Sequence, residues 1–231
     1  MVKATLVAAA IVAGLIVALA IARAVTGPYD PSRPEASDPF AGGEVLGLSA
    51  AMALAVFLEV VFLAVALWFT VLRRGAALRR LGFVRPRGRA PYLLALGAWL
   101  GGAAVAAAWL LITEPLGWGF LEPPESAQDV LDSSGGQFVV PLIVVGLLGP
   151  FCEEVFFRGF ALAGFAQRFG PARAVVLSAL LFGLFHLSPG LLVPTFIFGI
   201  VLGWLYIRTG SILPSIAAHS FQNILALALV S

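Results

Sequence analysis

Two carboxylates, two imidazoles, a guanidinium and an amide stand in the second half of this chain at spacings that suit acid–base chemistry. Glu153 and Glu154 are adjacent, Arg158 follows four residues after Glu154, and the chain's two histidines, His186 and His219, come later, with Asn223 four residues beyond the second. Each lies in a stretch as apolar as a membrane span, where charge is costly and by default marks a catalytic site or a proton relay. Residues four apart share one face of a helix, so Arg158 is placed to neutralise and fix Glu154, in the order that favours an ion pair. Glu153 is turned about 100° away and left free to face a cavity. By the same rule His219 and Asn223 share a face, and so do Phe182 and His186.

Each of these residues also has a plainer reading. A buried ion-pair network that ties helices together accounts for one glutamate but leaves the second unpaired. A single histidine in a membrane helix is more often an interhelical hydrogen bonder than a catalyst. Phe182 has no acid–base chemistry to offer and is read as packing. Glu59, midway along another apolar stretch with no charged neighbour in sequence, is read as a structural acid and left outside the catalytic set.

The elements that must position these groups follow from composition. The chain has 231 residues, 61% of them hydrophobic and 11% charged, whereas about a quarter of residues are charged in soluble globular domains. Several runs reach the roughly 20 apolar residues that cross a hydrocarbon core as a helix, and none shows the alternation of an outer-membrane barrel. The expected fold class is therefore all-α, a polytopic transmembrane bundle of about seven spans: Ala4 to Val25, Val45 to Leu72, Pro91 to Thr113, a fourth from Phe138, Ala174 to Leu187, Leu191 to Ile207 and Ile212 to Val230. Residues 1–137 supply N-terminal membrane helices and two acidic loops, and residues 138–231 the core that holds the polar groups, in one integrated domain. The first span exceeds the usual length of a signal-peptide core and is expected to be retained. Cys152 is the single cysteine, which excludes an intrachain disulfide framework and a zinc site of cysteine pairs.

Charge placement gives an orientation. Of the twelve acids, nine lie in the loops Thr26 to Glu44 and Glu114 to Gln137, while Arg73, Arg74, Arg79, Arg80, Arg85, Arg87 and Arg89 crowd the segment after the second span. The positive-inside rule puts that segment in the cytoplasm, the acidic loops outside and the N-terminus inside. The arginine block is expected to touch anionic lipid, with no nucleic-acid partner. The Ala-, Gly- and Arg-rich composition points to a prokaryotic cell membrane. With ~1.5 Å of rise per residue, Glu154 lies roughly 21 Å from the inner helix end at Arg168 and His186 roughly 20 Å from the end at Arg173. His219 and Asn223 lie roughly 12 and 18 Å up the last helix. Three helices are thus expected to turn polar faces toward one layer.

These residues resemble the intramembrane proteases of the type II CAAX prenyl protease and bacteriocin-processing family, also called the CPBP or abortive-infection family. The resemblance rests on three motifs in order: Glu-Glu-x-x-x-Arg at Glu153, Glu154 and Arg158; Phe-x-x-x-His at Phe182 and His186; and His-x-x-x-Asn at His219 and Asn223. It implies an intramembrane endopeptidase acting on a membrane-associated or lipid-modified peptide. Glu153 would be the general base that activates water with His186, while His219 and Asn223 would stabilise the oxyanion, Glu154 completing the catalytic set with Arg158 and Phe182 in support. Burial makes a carboxylate a better base, and fixed donors act more strongly in a low dielectric. The family has also been described as metalloproteases, and Glu153, His186 and His219 would be the zinc ligands on that reading. The chain lacks a His-Glu-x-x-His helix, and a glutamate mechanism with no cofactor is favoured. The alternatives are a non-catalytic immunity or secretion partner that keeps the motifs for structure, and a small proton-coupled transporter.

Overall fold

The computed structural model describes residues 44–45, 48–75, 77–118, 121 and 138–230. The expected first span, the first acidic loop up to Gly43 and most of the second acidic loop lie outside the described residues. A pair of two-residue antiparallel strands, β1 (Glu44–Val45) and β2 (Leu48–Ser49), precedes a structure that is otherwise helical. Helix α1 (Ala50–Leu67) runs on into a wide π-helical turn at Trp68–Leu72. Then come α2 (Ala90–Thr113), α3 (Val139–Phe169), α4 (Pro171–Phe185), α5 (Pro189–Thr209) and α6 (Leu213–Val230).

Among the described residues four stretches are long and apolar enough to cross a membrane: Met52–Leu72, Ala90–Leu116, Val139–Phe169 and Pro189–Thr209. Helices α4 and α6 are apolar but shorter. The 15 residues of α4 rise ~22 Å, short of a hydrocarbon core of ~30 Å. It is cut by turns rather than by polarity: Gly170 at φ 80 with Pro171 behind it, and Leu187 at φ 51 ahead of Pro189. Leu93, Leu96, Leu100, Leu110 and Leu111 stand outward along α2, a surface suited to lipid and not to water. The protein is an integral membrane protein.

The arginine-rich segment docks on one end of the bundle. All seven of its arginines are exposed, while Leu81 and Gly82 between them are buried. The Gly82 carbonyl accepts the Ile212 amide at 2.9 Å, and Ser211 Oγ donates to the Val84 carbonyl at 2.6 Å. These bonds hold the loop against the turn between α5 and α6. Helix α3 passes the same loop at Gly159, where a Cβ would stand 2.7 Å from the Leu81 carbonyl oxygen. Backbone cannot yield as a side chain can, so Gly159→Ala is expected to destabilise the protein by ~1–3 kcal/mol, read as earlier thermal unfolding in detergent. Unchanged unfolding would mean that the loop is not seated on α3.

Helices α4 and α5 also meet through small residues. A Cβ on Gly199 would lie 3.0 Å from Ala179 Cα, and one on Gly183 3.1 Å from the Leu192 carbonyl oxygen. Gly203 likewise faces Leu162 and Val175, so small residues bring these helices close. At the centre, Phe62 of α1 packs on Phe156, Phe157 and Phe185, with ring centroids 4.8, 5.4 and 4.8 Å away. Helix α3 widens into π-helical turns at Leu142–Leu148 and Val155–Leu162, on either side of Gly149–Glu154. Such widening re-aims side chains and is frequent at functional sites.

Candidate active site

Arg158 and Glu154 are both fully buried, and Arg158 Nη1 lies 2.9 Å from Glu154 Oε1. The ion pair expected from their spacing forms, within a wider set of contacts. Arg158 Nη2 donates to the Gly199 carbonyl at 3.3 Å, and its guanidinium carbon stands 4.5 Å from the centre of the Phe182 ring. One glycine thus lets α4 come close while its carbonyl receives the arginine of α3. The ring of Phe182 does more than fill space, since an aromatic face attracts a cation where water is excluded.

His219 brings α6 to the same carboxylate, its Nδ1 lying 3.0 Å from Glu154 Oε1. Glu154 is ion-paired with Arg158 and a carboxylate only accepts, so Nδ1 of His219 carries the proton and donates. The ring is held edge-on between Phe182 and Phe198, at centroid distances of 5.5 and 5.7 Å. Its other nitrogen, Nε2, is 3.7 Å from Glu153 Oε2, beyond a direct hydrogen bond. The side chain of Glu153 is 19% exposed where those of Glu154 and Arg158 are fully buried. Of the two glutamates, Glu153 is the one a reactant can approach. Measured from the arginine loop, Glu153 is six residues from Gly159 and His219 seven from Ile212, about 9 and 10 Å along their helices. The two groups share one level, near the arginine-rich end.

His186 and Asn223 stand at the margin of this cluster. His186 ends α4, and its Nδ1 donates to the Phe182 carbonyl at 2.9 Å. A carbonyl only accepts, so Nδ1 holds the hydrogen and a neutral ring keeps its lone pair at Nε2. The ring packs on Phe182 at a centroid distance of 4.9 Å, and no hydrogen bond or ion pair joins it to either glutamate. Asn223 Nδ2 donates to the Val145 carbonyl at 2.9 Å, bracing α6 on the first widened turn of α3. The structure thus gathers Glu153, Glu154, Arg158, Phe182 and His219 and sets His186 and Asn223 beside them. Among the described residues no three His, Cys, Asp or Glu side chains are grouped as metal ligands. The arrangement of Glu153, His186 and His219 therefore does not fit a zinc ion, and no step is routed through one.

One residue at the site was not singled out by spacing. Glu59, from α1, lies against α3 at Gly149, one helical turn before Glu153. Its Oε1 lies 3.6 Å from where a Cβ on Gly149 would stand. The signal available in sequence was that Glu59 is the remaining acid at membrane depth outside the motifs.

Residues 135–225 match the family described as Rce1-like, type II CAAX prenyl endopeptidase Rce1-like. The matched segment contains all three motifs, so this part of the chain is similar to the CAAX proteases. No curated protein and no solved structure matches the chain.

Proposed function

We propose, from the family to which residues 135–225 are matched, that this protein is an intramembrane endopeptidase hydrolysing a membrane-associated or lipid-modified peptide with a glutamate-activated water. The observation that carries the reading is Glu153, a partly open carboxylate 3.7 Å from His219 Nε2 and beside a buried, charge-paired glutamate. A network kept only for structure would pair both acids. Instead Glu153 stands outside the Arg158–Glu154 ion pair, with its side chain 19% exposed.

The chain's residues divide the work as follows. Glu153 takes a proton from water, and the hydroxide formed adds to the scissile carbonyl carbon. His186 offers Nε2 as the second acceptor for that water. His219, whose Nδ1–H is held by Glu154, is stabilised as an imidazolium and donates from Nε2 to the oxyanion, with the Asn223 amide beside it. Collapse of the tetrahedral intermediate breaks the carbon–nitrogen bond, and the proton on Glu153 passes to the departing amine. Arg158 and Phe182 fix Glu154, which fixes His219. The site opens toward the arginine-rich face, which is cytoplasmic with the N-terminus, in a bundle of about seven helices in a prokaryotic cell membrane.

The test is cleavage of a quenched-fluorescent, lipid-modified peptide library by the purified protein in detergent, with and without a chelator. Cleavage indifferent to the chelator is expected. Loss of cleavage with chelator would replace this mechanism by a metal-dependent one. No cleavage of any member by folded protein would overturn the enzymatic reading in favour of a binding or immunity role.

A further inference from the structure

The loop that joins α1 to α2 is seated by its middle and charged on its outside. Leu81 is fully buried in a cluster with Ala66, Val155 and Ile212, and Val155 follows Glu153 by two residues on α3. Gly82 turns at φ 88, and a Cβ there would stand 2.6 Å from Tyr206 Cε2 of α5. The Gly82 carbonyl also holds the Ile212 amide at the start of α6. One short segment thus touches α3, α5 and α6. Around it the seven arginines of the loop are all exposed, and no carboxylate among the described residues pairs with any of them. Like charges so close repel one another unless an anion lies among them.

The neighbouring aromatics give the depth of this patch. Helices α1, α2 and α5 all meet the loop, and each brings an exposed aromatic side chain within about one turn of an exposed arginine. Trp68 precedes Arg73, whose amide bonds its carbonyl at 2.8 Å in the π-helical turn. Tyr92 follows Arg89, and Trp204 precedes Arg208. Tryptophan and tyrosine exposed at the end of an apolar helix belong at the level of the lipid headgroups. Leu72 and Leu78 are exposed among the arginines as well. A soluble acidic partner would satisfy the charge and leave these apolar side chains bare, whereas a lipid supplies both a phosphate and acyl chains.

We propose that the loop of residues 73–89 is a binding surface for the phosphate groups of anionic lipid, and that the bound lipid braces the two helices that carry Glu153 and His219. The lipid neutralises the arginines and holds the loop down. The loop in turn keeps Val155 of α3 and Ile212, ahead of α6, in one packed cluster. Binding is independent of the protease reading, and only the effect on cleavage rests on it.

The first readout needs no substrate. Thermal unfolding of the purified full chain in neutral detergent is measured with added phosphatidylglycerol or with phosphatidylcholine of the same acyl chains. A ligand of the folded state raises the unfolding temperature, so phosphatidylglycerol should raise it, less so at high salt, and phosphatidylcholine should not. Arg79, Arg80 and Arg85 flank the seated residues and are exposed, so Arg79→Gln/Arg80→Gln/Arg85→Gln should unfold like the wild type without lipid. At roughly fivefold per arginine, its affinity for phosphatidylglycerol should fall about a hundredfold. The same three positions changed to lysine keep the charge and should keep most of the shift. An equal shift with phosphatidylcholine, or a full shift in the glutamine variant, would overturn the site. A soluble glutamate-rich peptide that reproduces the shift would overturn lipid as its occupant. The second readout is peptide cleavage in bilayer discs with and without phosphatidylglycerol, expected to be several-fold faster with it for the wild type and indifferent to it for the glutamine variant. Equal wild-type rates would overturn the brace. Should the wild type cleave nothing, the unfolding result still decides the lipid site, and the failure falls on the enzymatic reading alone.

Discussion

Glu153→Gln yields a folded protein that cleaves its peptide at least about a hundredfold more slowly than the wild type, the usual scale for loss of a general base. The substitution keeps size and shape and removes only the ability to take a proton. Folding is expected to survive because Glu153 is not a member of the buried ion pair, which joins Arg158 to Glu154. Glu154→Gln is the informative contrast. It weakens the grip on both Arg158 Nη1 and His219 Nδ1, so it should lose stability and rate together. The measurements are cleavage rate and thermal unfolding in the same detergent for both variants. A Glu153→Gln protein that cleaves at the wild-type rate would remove Glu153 from the mechanism. One that unfolds early would show that this carboxylate is structural.

The site was legible in sequence as far as helical spacing reaches. Four-residue offsets placed Arg158 on Glu154, and helix lengths placed His186 level with the glutamates and His219 somewhat lower, because regular helices convert residue count into angle and height. What spacing could not supply was the choice among partners across helices. His219 and Glu153 do come close, but the shorter bond of His219 is to Glu154, and only the approach of α6 to α3 decides that. Asn223 shares the face of His219, yet its amide is taken up by the Val145 carbonyl, which lies in a widened turn that no residue type announces. Glu59 was invisible to motif reasoning, since it meets α3 from another helix far earlier in the chain. The helix count was limited in a different way. Apolar length alone suggested a span over Ala174 to Leu187, but Leu187 takes a left-handed conformation with φ 51. Leucine adopts that conformation at some cost, and its identity gives no warning of the turn that ends α4 beside His186.

Arg158→Met is expected to destabilise the protein by ~3–5 kcal/mol, the scale for breaking a buried ion pair from one side. Methionine fills much of the volume, so the loss is electrostatic more than steric. Glu154 would keep only His219 as a partner, and the Gly199 carbonyl and the Phe182 ring would each lose a favourable contact. The double variant Arg158→Met/Glu154→Gln should recover part of the loss, because a neutral amide no longer leaves a buried charge uncompensated. Unfolding free energies in detergent for the two single variants and the double give the coupling between the residues. Additive losses would mean that water, and not Arg158, solvates Glu154. A large positive coupling would instead make the pair the anchor on which His219 is oriented. It would also explain why the motif carries a second glutamate with no exposed surface for a substrate to touch. In that case the inner glutamate holds the arginine and the imidazole, and the outer one is left free for the proton.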